Sequence, residues 1–207
     1  MSKPICFDLC CGCGGWTRGF LAAGFEVYGF DIAKFQEYPV HRARFMRRDV
    51  MDLTPTNLLG ADFIIASTPC EEFSVWGMKH FHPDPPFPII GLTLFQHVRR
   101  ICQASGVPYV MENVRSAQQF VGPAQGRAGS FYLWGNSVPL VLPLTQFHKG
   151  MSHMSADGRF ARPSGVDKFR NQSKKIRSAA AAIIPFELAY FVASVAREVV
   201  RQRSLAK

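Results

Sequence analysis

The chain has 207 residues, enough for one full domain and short for two, and its 47% hydrophobic content excludes a disordered chain. No apolar run is long enough to span a bilayer, and the opening M-S-K-P-I-C is not a signal peptide, because Asp8 and a glycine cluster break its apolar stretch. A formal charge of +9 and a pI near 9.5 point to a polyanionic partner, with nucleic acid ahead of an anionic membrane surface.

Four of the six cysteines, Cys6, Cys10, Cys11 and Cys13, crowd into the first thirteen residues, too close together to pair without strain. A reduced, cytoplasmic protein is expected. Ile5 to Leu9 predicts a first strand. C-C-G-C-G-G follows, and then W-T-R-G-F-L-A-A-G-F, which has helical spacing with Gly24 closing it. Glu26 to Phe30 predicts a second strand ending at Asp31. Gly12, Gly14 and Gly15 let a ligand approach the backbone closely at a helix N-terminus. Asp31 lies roughly 20 residues further on, where a ribose-binding carboxylate belongs. The spacing G-x-G-G is not that of a dinucleotide site, so a nucleoside without pyrophosphate, such as S-adenosylmethionine, fits better. Cys10, Cys11 and Cys13 read either as small residues filling the turn or as a metal or cluster site; no matching second cluster exists, and no metal is expected.

Arg42, Arg44, Arg47 and Arg48 read either as a solvated helix face or as phosphate contacts. Asp49 ends a short third strand. Phe63 to Ala66 predicts a fourth, buried strand, and Thr68-Pro69 then deliver Cys70 just past its C-terminal end, where α/β sheets do their chemistry. Ser74 to Pro88 reads as a long loop holding Trp76, His80, Phe81 and His82. Ile89 to Ala104 has helical apolar spacing, and Val107 to Met111 predicts a strand that delivers Glu112-Asn113-Val114. Strand and helix alternate, which predicts a mostly parallel sheet with helices on both faces. Ser130 to Trp134 predicts another strand. Residues 136–171 are rich in Gly, Pro, Ser, His and basic residues and show little periodicity. Pro185 sits where a helix N1 proline belongs, ahead of an apolar face at Leu188, Phe191, Val192, Val195 and Val199.

These pieces, in this order, resemble the cytosine-5 DNA methyltransferase family. D-L-C-C-G-C-G-G resembles the family's D-L-F-x-G-x-G-G, with Cys10 in place of the aromatic. T-P-C-E-E-F-S resembles P-P-C-Q-x-F-S, with Glu71 in place of glutamine, and M-E-N-V resembles E-N-V. Gln125-Gly126-Arg127 resembles the start of Q-x-R-x-R, with Gly129 in place of the second arginine. Ala180 to Pro185 resembles a G-N-A-V-P-P that lacks its asparagine.

The resemblance implies a Rossmann-like fold that uses S-adenosylmethionine, releases S-adenosylhomocysteine and needs no metal. It implies a core over residues 1–135, a small target-recognition segment over 136–172, and a C-terminal motif and helix over 173–207 that complete the core. Cys70 is the implied nucleophile toward carbon 6 of a flipped-out cytosine. Glu112 is implied to present a protonated carboxyl to ring nitrogen 3, and Arg127 to bind the ring carbonyl. Cofactor contacts are implied from Asp8, Cys10, Gly12, Cys13, Gly14, Gly15 and Trp16 around the turn. Asp31 and Ile32, Asp49 and Val50, Pro69 and Ala181 complete that set. Double-stranded DNA is the implied partner of a monomer, with Ser74, Trp76, Lys149, Arg159, Arg162, Lys168 and Arg170 as contacts, to phosphate more than to base edges.

Three alternatives remain at this level. One is a methyltransferase-like protein that binds DNA without catalysis. Another is the same chemistry on RNA. The third, a nicotinamide oxidoreductase, has the wrong glycine spacing. Glu71 adds a negative charge beside the nucleophile, which disfavours a thiolate unless that charge is paired or protonated.

Overall fold

A computed structural model of the protein describes residues 2–74, 88–143 and 183–206. Its centre is β1 (Ile5–Leu9), which pairs in parallel with β2 (Glu26–Asp31) on one side and β4 (Phe63–Ser67) on the other. β3 (Arg44–Arg47) extends the sheet beyond β2, and β5 (Tyr109–Asn113) extends it beyond β4. β7 (Phe131–Trp134) runs antiparallel to β5, and β6 (Gly126–Ala128) antiparallel to β7. The order is β3-β2-β1-β4-β5-β7-β6. β1, β2 and β3 step outward in one direction and β4 and β5 in the other. The C-terminal ends of β1 and β4 therefore flank the switch point, where such sheets bind ligands.

The strands are apolar runs because both faces are covered. Alternate residues divide between two cores. Phe63, Ile65, Val110 and Leu133 pack beneath α1 (Gly15–Ala22) and α4 (Phe186–Leu205), with Phe20, Leu188 and Val192. Ile64, Met111 and Trp134 pack beneath α2 (Ile90–Ser105), with Phe95, Val98 and Ile101. α3 (Gln118–Val121) is a single turn leading into β6.

α1 and α4 meet backbone to backbone. A Cβ added at Gly19 would lie 2.5 Å from the carbonyl carbon and Cβ of Ala189. Arg197 Nη1 donates to Ala23 O at 2.9 Å and ties α4 to the last turn of α1.

The structure changes three readings of the sequence. The arginine-rich stretch is no helix face: Arg44–Arg47 form the edge strand β3, paired with β2 from Arg44 opposite Tyr28 to Arg47 opposite Asp31. Glu112 lies inside β5 rather than beyond its end. Pro185 is the N-cap, at φ −58 and ψ 141, and the helix starts at Phe186.

Candidate active site

The turn after β1 is built for close approach. Cys10 takes a left-handed conformation at φ 58, unusual for a residue with a side chain, and Gly14 follows at φ 77 as the N-cap of α1. Asp31, the last residue of β2, anchors this turn. Its Oδ2 accepts from Gly12 N at 3.0 Å and its Oδ1 from Ala33 N at 3.0 Å. Arg18 clamps the other side, donating from Nη1 to Cys13 O at 2.6 Å and Gly14 O at 3.0 Å, and from Nη2 to Glu37 O.

The three turn cysteines are kept as neutral thiols. Burial, then the nearby carboxylates, pushes Cys10 and Cys11 far up, and burial with Glu37 pushes Cys13 up to about 11 against the pull of Arg18. Cys11 and Cys13 are buried within the turn. Among the described residues, no group of three or more His, Cys, Asp or Glu is arranged to hold a metal ion.

Asp8 stands apart from its expected place as a cofactor contact. It does not line the cavity described below; it is buried in β1. Its Oδ2 accepts from Thr17 N at 3.1 Å and Thr17 Oγ1 at 2.6 Å, which fastens the start of α1 to the strand. Its Oδ1 finds no hydrogen-bond partner among the described residues. Burial pushes the Asp8 carboxyl up to about 7; the two Thr17 bonds oppose this and Asp31 adds to it.

A cavity of about 530 Å³ opens at the switch point. Cys10, Gly12, Cys13, Gly15 and Trp16 form one wall, Asp31, Ile32, Asp49 and Val50 another, and Ser67 to Glu71 a third, with Ile183 and Ile184 from the approach to α4. A Cβ added at Gly12 would meet nothing within 4 Å, so the turn faces open space there. Gly14 is not in the wall; its added Cβ would strike Pro39 at 2.8 Å. Mostly apolar walls, with the carboxylates of Asp31 and Asp49 on the side away from Cys70 and Glu71, suit a nucleoside with few polar groups. Asp49 Oδ1 already accepts from Met51 N at 2.9 Å, and each carboxylate retains acceptor sites for a ligand. Ala181 lies outside the described residues.

Cys70 is in the same cavity wall, three residues beyond β4. Its loop is held from both sides. Asn113 Nδ2 donates to Thr68 O and Thr68 Oγ1, each at 3.1 Å, which fixes the peptide leading into Pro69. Phe73 N and Ser74 Oγ both donate to Cys70 O, at 3.1 and 2.9 Å. Ser74, expected at the DNA, here closes the turn on the Cys70 carbonyl. Glu72 Oε2 accepts from Gly91 N at 2.8 Å, an anion at the N-terminus of α2.

Glu112 is fully buried and pairs in register with Ser67 across β4 and β5. Ser67 Oγ donates to Glu112 Oε2 at 2.9 Å and accepts from Trp16 Nε1 at 2.9 Å. Sequence reading passed over Ser67 and Arg18, and quoted Asn113 only as a motif letter. A hydroxyl ending an otherwise apolar strand was the available signal for Ser67.

Arg127 is not brought to Glu112. Glu112 pairs with Leu133 and Leu133 with Gly126, whereas Arg127 pairs with Tyr132, so the two side chains leave opposite faces of the sheet. Arg127 Nε donates to Gly129 O at 3.0 Å, and its guanidinium lies 5.6 Å from the Tyr132 ring centre. With glycine at 129, that carbonyl takes the arginine. Trp76, Lys149, Arg159, Arg162, Lys168 and Arg170 lie outside the described residues.

A family model for C-5 cytosine-specific DNA methylases matches residues 5–121, more than half of the chain. The chain belongs to this family. The match spans the glycine turn, Cys70 and Glu112, and ends before Arg127. Type II methyltransferase M.FnuDI of Fusobacterium nucleatum is 27% identical over 112 residues, 52% of this chain and 31% of that protein. Type II methyltransferase M.HgiGI of Herpetosiphon aurantiacus is 30% identical over 121 residues, 54% of this chain and 90% of that protein. The match thus spans about a third of the first relative and most of the second. Among solved structures, Entamoeba histolytica methyltransferase EhMeth is 11% identical at a TM-score of 0.56, covering 98% of this chain and 99% of that one. That likeness concerns the fold, the S-adenosylmethionine-dependent methyltransferase fold of a mostly parallel sheet with α4 packed back on it.

Proposed function

We propose that this chain transfers a methyl group from S-adenosylmethionine to carbon 5 of cytosine in double-stranded DNA, through a covalent adduct on Cys70. The observation that carries the reading is the meeting of Cys70 and the Ser67–Glu112 pair at the ends of adjacent strands, beside a cavity whose far wall is the glycine turn. The family match and the names of the two relatives support the same chemistry.

Asp31 and Asp49 would hold the polar groups of the methyl donor, with Ile32, Val50 and Trp16 against its apolar faces. When bound, that donor supplies an electrophilic methyl group. Carbon 5 of cytosine is too weak a nucleophile to use it unaided. Cys70 Sγ, as thiolate, bonds to carbon 6. The π pair of C5=C6 moves between C5 and C4, and the C4=N3 pair moves to N3. Glu112 gives N3 a proton and is left a carboxylate. Carbon 5 is now the nucleophilic end of an enamine, and one hard step has become two easier ones. Once carbon 5 has bonded to that methyl group, the donor's sulfur keeping the pair of the broken S–C bond, the N3 proton returns to the Glu112 carboxylate; a water then takes the C5 hydrogen as a proton, and the C5–H pair re-forms C5=C6 and expels Cys70 Sγ as thiolate. Both carbons are hidden in a stacked duplex, so the base is taken out of the stack. The +9 charge supplies the attraction to phosphate that such binding needs.

The test is methyl transfer by the purified chain to unmodified duplex DNA, read by base-resolution sequencing for 5-methylcytosine, with Cys70→Ala alongside. Transfer lost in the variant establishes the reading and gives the sequence context. Transfer to RNA but not DNA moves the substrate class. Transfer to neither leaves a binding protein on a methyltransferase fold.

A further inference from the structure

The cavity wall that carries Asp49 and Val50 is a single 3-10 turn, Val50–Asp52, with Asp49 as its N-cap. One such turn holds its own shape weakly, because its bonds are few and poorly aligned. Asp49 Oδ1 accepts from Met51 N at 2.9 Å, Asp52 N donates to Asp49 O at 3.2 Å, and Leu53 N donates to Val50 O at 3.2 Å. Further support comes from α2. His97 Nε2 lies 3.1 Å from Val50 O and 3.2 Å from Leu53 O, so one ring nitrogen spans the turn from its first residue to the residue that closes it. Both partners are carbonyl oxygens and only accept, so Nε2 carries the hydrogen and donates to them. Nδ1 faces Arg100 Nη2 at 3.1 Å. Ile90, Thr93 and Leu94 of α2 line the cavity, and His97 follows them on the same helix face without lining it. α2 therefore forms one side of the cavity and braces another from behind.

We propose that His97 is a positioning residue for the methyl donor: by clamping the Val50 and Leu53 carbonyls it fixes the turn that presents Asp49 and Val50, and so sets the affinity for S-adenosylmethionine and S-adenosylhomocysteine from outside the cavity. The inference rests on the cofactor half of the reading above; it needs neither the DNA substrate nor the chemistry at Cys70. Without the clamp the turn samples other shapes, and a ligand that fits only one of them binds more weakly by the fraction of time that shape is absent. The buried side chains of Val50 and Leu53 keep the turn attached to the α2 core in either case. Loss of the clamp thus loosens the wall without removing it.

The experiment uses the full chain, with His97→Ala, His97→Leu and His97→Gln beside the wild type. One readout is the calorimetric Kd for S-adenosylhomocysteine, measured well below the melting temperature of each variant. A residue that only stabilised the fold would lower that temperature and leave this Kd alone. The other readout is steady-state methyl transfer, separating kcat from the KM of the donor. His97→Ala and His97→Leu are expected to raise Kd and donor KM by roughly five- to thirty-fold, the worth of one or two neutral hydrogen bonds, with kcat moved less than about threefold. His97→Gln, which keeps an N–H donor, is expected to recover most of the loss. Should His97→Ala not fold, His97→Leu, which fills the space without a donor, carries the comparison. A wild type that binds S-adenosylhomocysteine, with a folded His97→Ala or His97→Leu binding it equally well, overturns the inference and leaves the cofactor reading standing. So does a folded His97→Gln as weak as His97→Leu, a loss that falls on kcat instead of donor KM, or the failure of both donor-free variants to fold. A wild type that does not bind S-adenosylhomocysteine overturns the cofactor reading, and this inference with it.

Discussion

Asp8 makes stability a function of pH in a way that a single substitution isolates. In an unfolded chain its carboxyl titrates near 3.9; in the fold, burial pushes it up to about 7. Because the folded value is the higher one, the folded state holds an extra proton between these two pH values. The group's contribution is therefore complete below about pH 4 and is lost as pH rises through about 7. A gap of about three pH units corresponds to about 4 kcal/mol, reached above the folded value. Asp8→Asn keeps an acceptor for Thr17 N and Thr17 Oγ1, puts an amide where the unpartnered Oδ1 lies, and carries no charge at any pH. Urea unfolding of both proteins from pH 5 to pH 8 measures the difference, and titrations common to both cancel. The variant is expected to gain on the wild type by about 2–3 kcal/mol across that range. A gap that stays constant with pH would refute the reasoning, and would mean that the Thr17 bonds and the α1 N-terminus hold the anion as well as water does.

Three further outcomes follow from the geometry. Asn113→Ala strands the buried Thr68 carbonyl and frees the peptide before Pro69; it is expected to cost about 1–3 kcal/mol in urea unfolding and at least about tenfold in methyl-transfer rate. Gly19→Ala pushes α1 off Ala189 and is expected to cost about 1–3 kcal/mol, seen as a lower urea midpoint at unchanged slope; an unchanged midpoint would mean that α4 does not seat on α1. Arg127→Ala is expected to lower kcat by less than about tenfold, and Glu112→Gln by more than about a hundredfold, because Glu112 is bonded to Ser67 of the cavity wall whereas Arg127 leaves the opposite face of the sheet. Equal losses in initial-rate measurements would overturn the opposite-face assignment.

The strands around β1 were legible because each is a short apolar run closed by a residue with a distinct job: the glycine turn after Leu9, Asp31 after Phe30, Pro69-Cys70 after Ser67. Such signals are local, and local chemistry survives in a sequence. β6 was missed, since three residues reading Gly-Arg-Ala carry no periodicity, and only pairing with β7 makes them a strand. For β3 the sequence offered a helix face or phosphate contacts and a short strand ending at Asp49; the strand exists but ends at Arg47, and R-F-M-R carries no alternation to mark it. The partners within the site were legible only in part. Cys70 and Glu112 announce themselves by motif. The role of Ser67 depends on what lies 51 residues before it and 45 after, at Trp16 and Glu112. Asp8 failed differently: its motif placed it at the cofactor turn, but β1 buries its carboxyl beneath that turn, where Thr17 takes it.

Register ties these observations together. Glu112 and Asn113 are neighbours in β5, so they leave opposite faces of the sheet. Glu112 turns toward α1 and meets Ser67, which also accepts from Trp16 of α1. Asn113 turns toward the other face and meets Thr68, which controls the approach to Cys70. Two successive residues of β5 thus grip the last residue of β4 and the one after it, one from each side of the sheet. A slip of one residue between these strands would send the carboxyl to Thr68 and the amide to Trp16, and undo both contacts at once. The same slip would turn Val110 and Met111 out of their cores, since Val110 packs with the α1–α4 layer and Met111 with the α2 layer. The apolar pattern of β5 therefore holds these residues in place: the two-sided burial that makes most of the strand apolar also fixes which side of the sheet holds Glu112 and which side steadies the loop leading to Cys70.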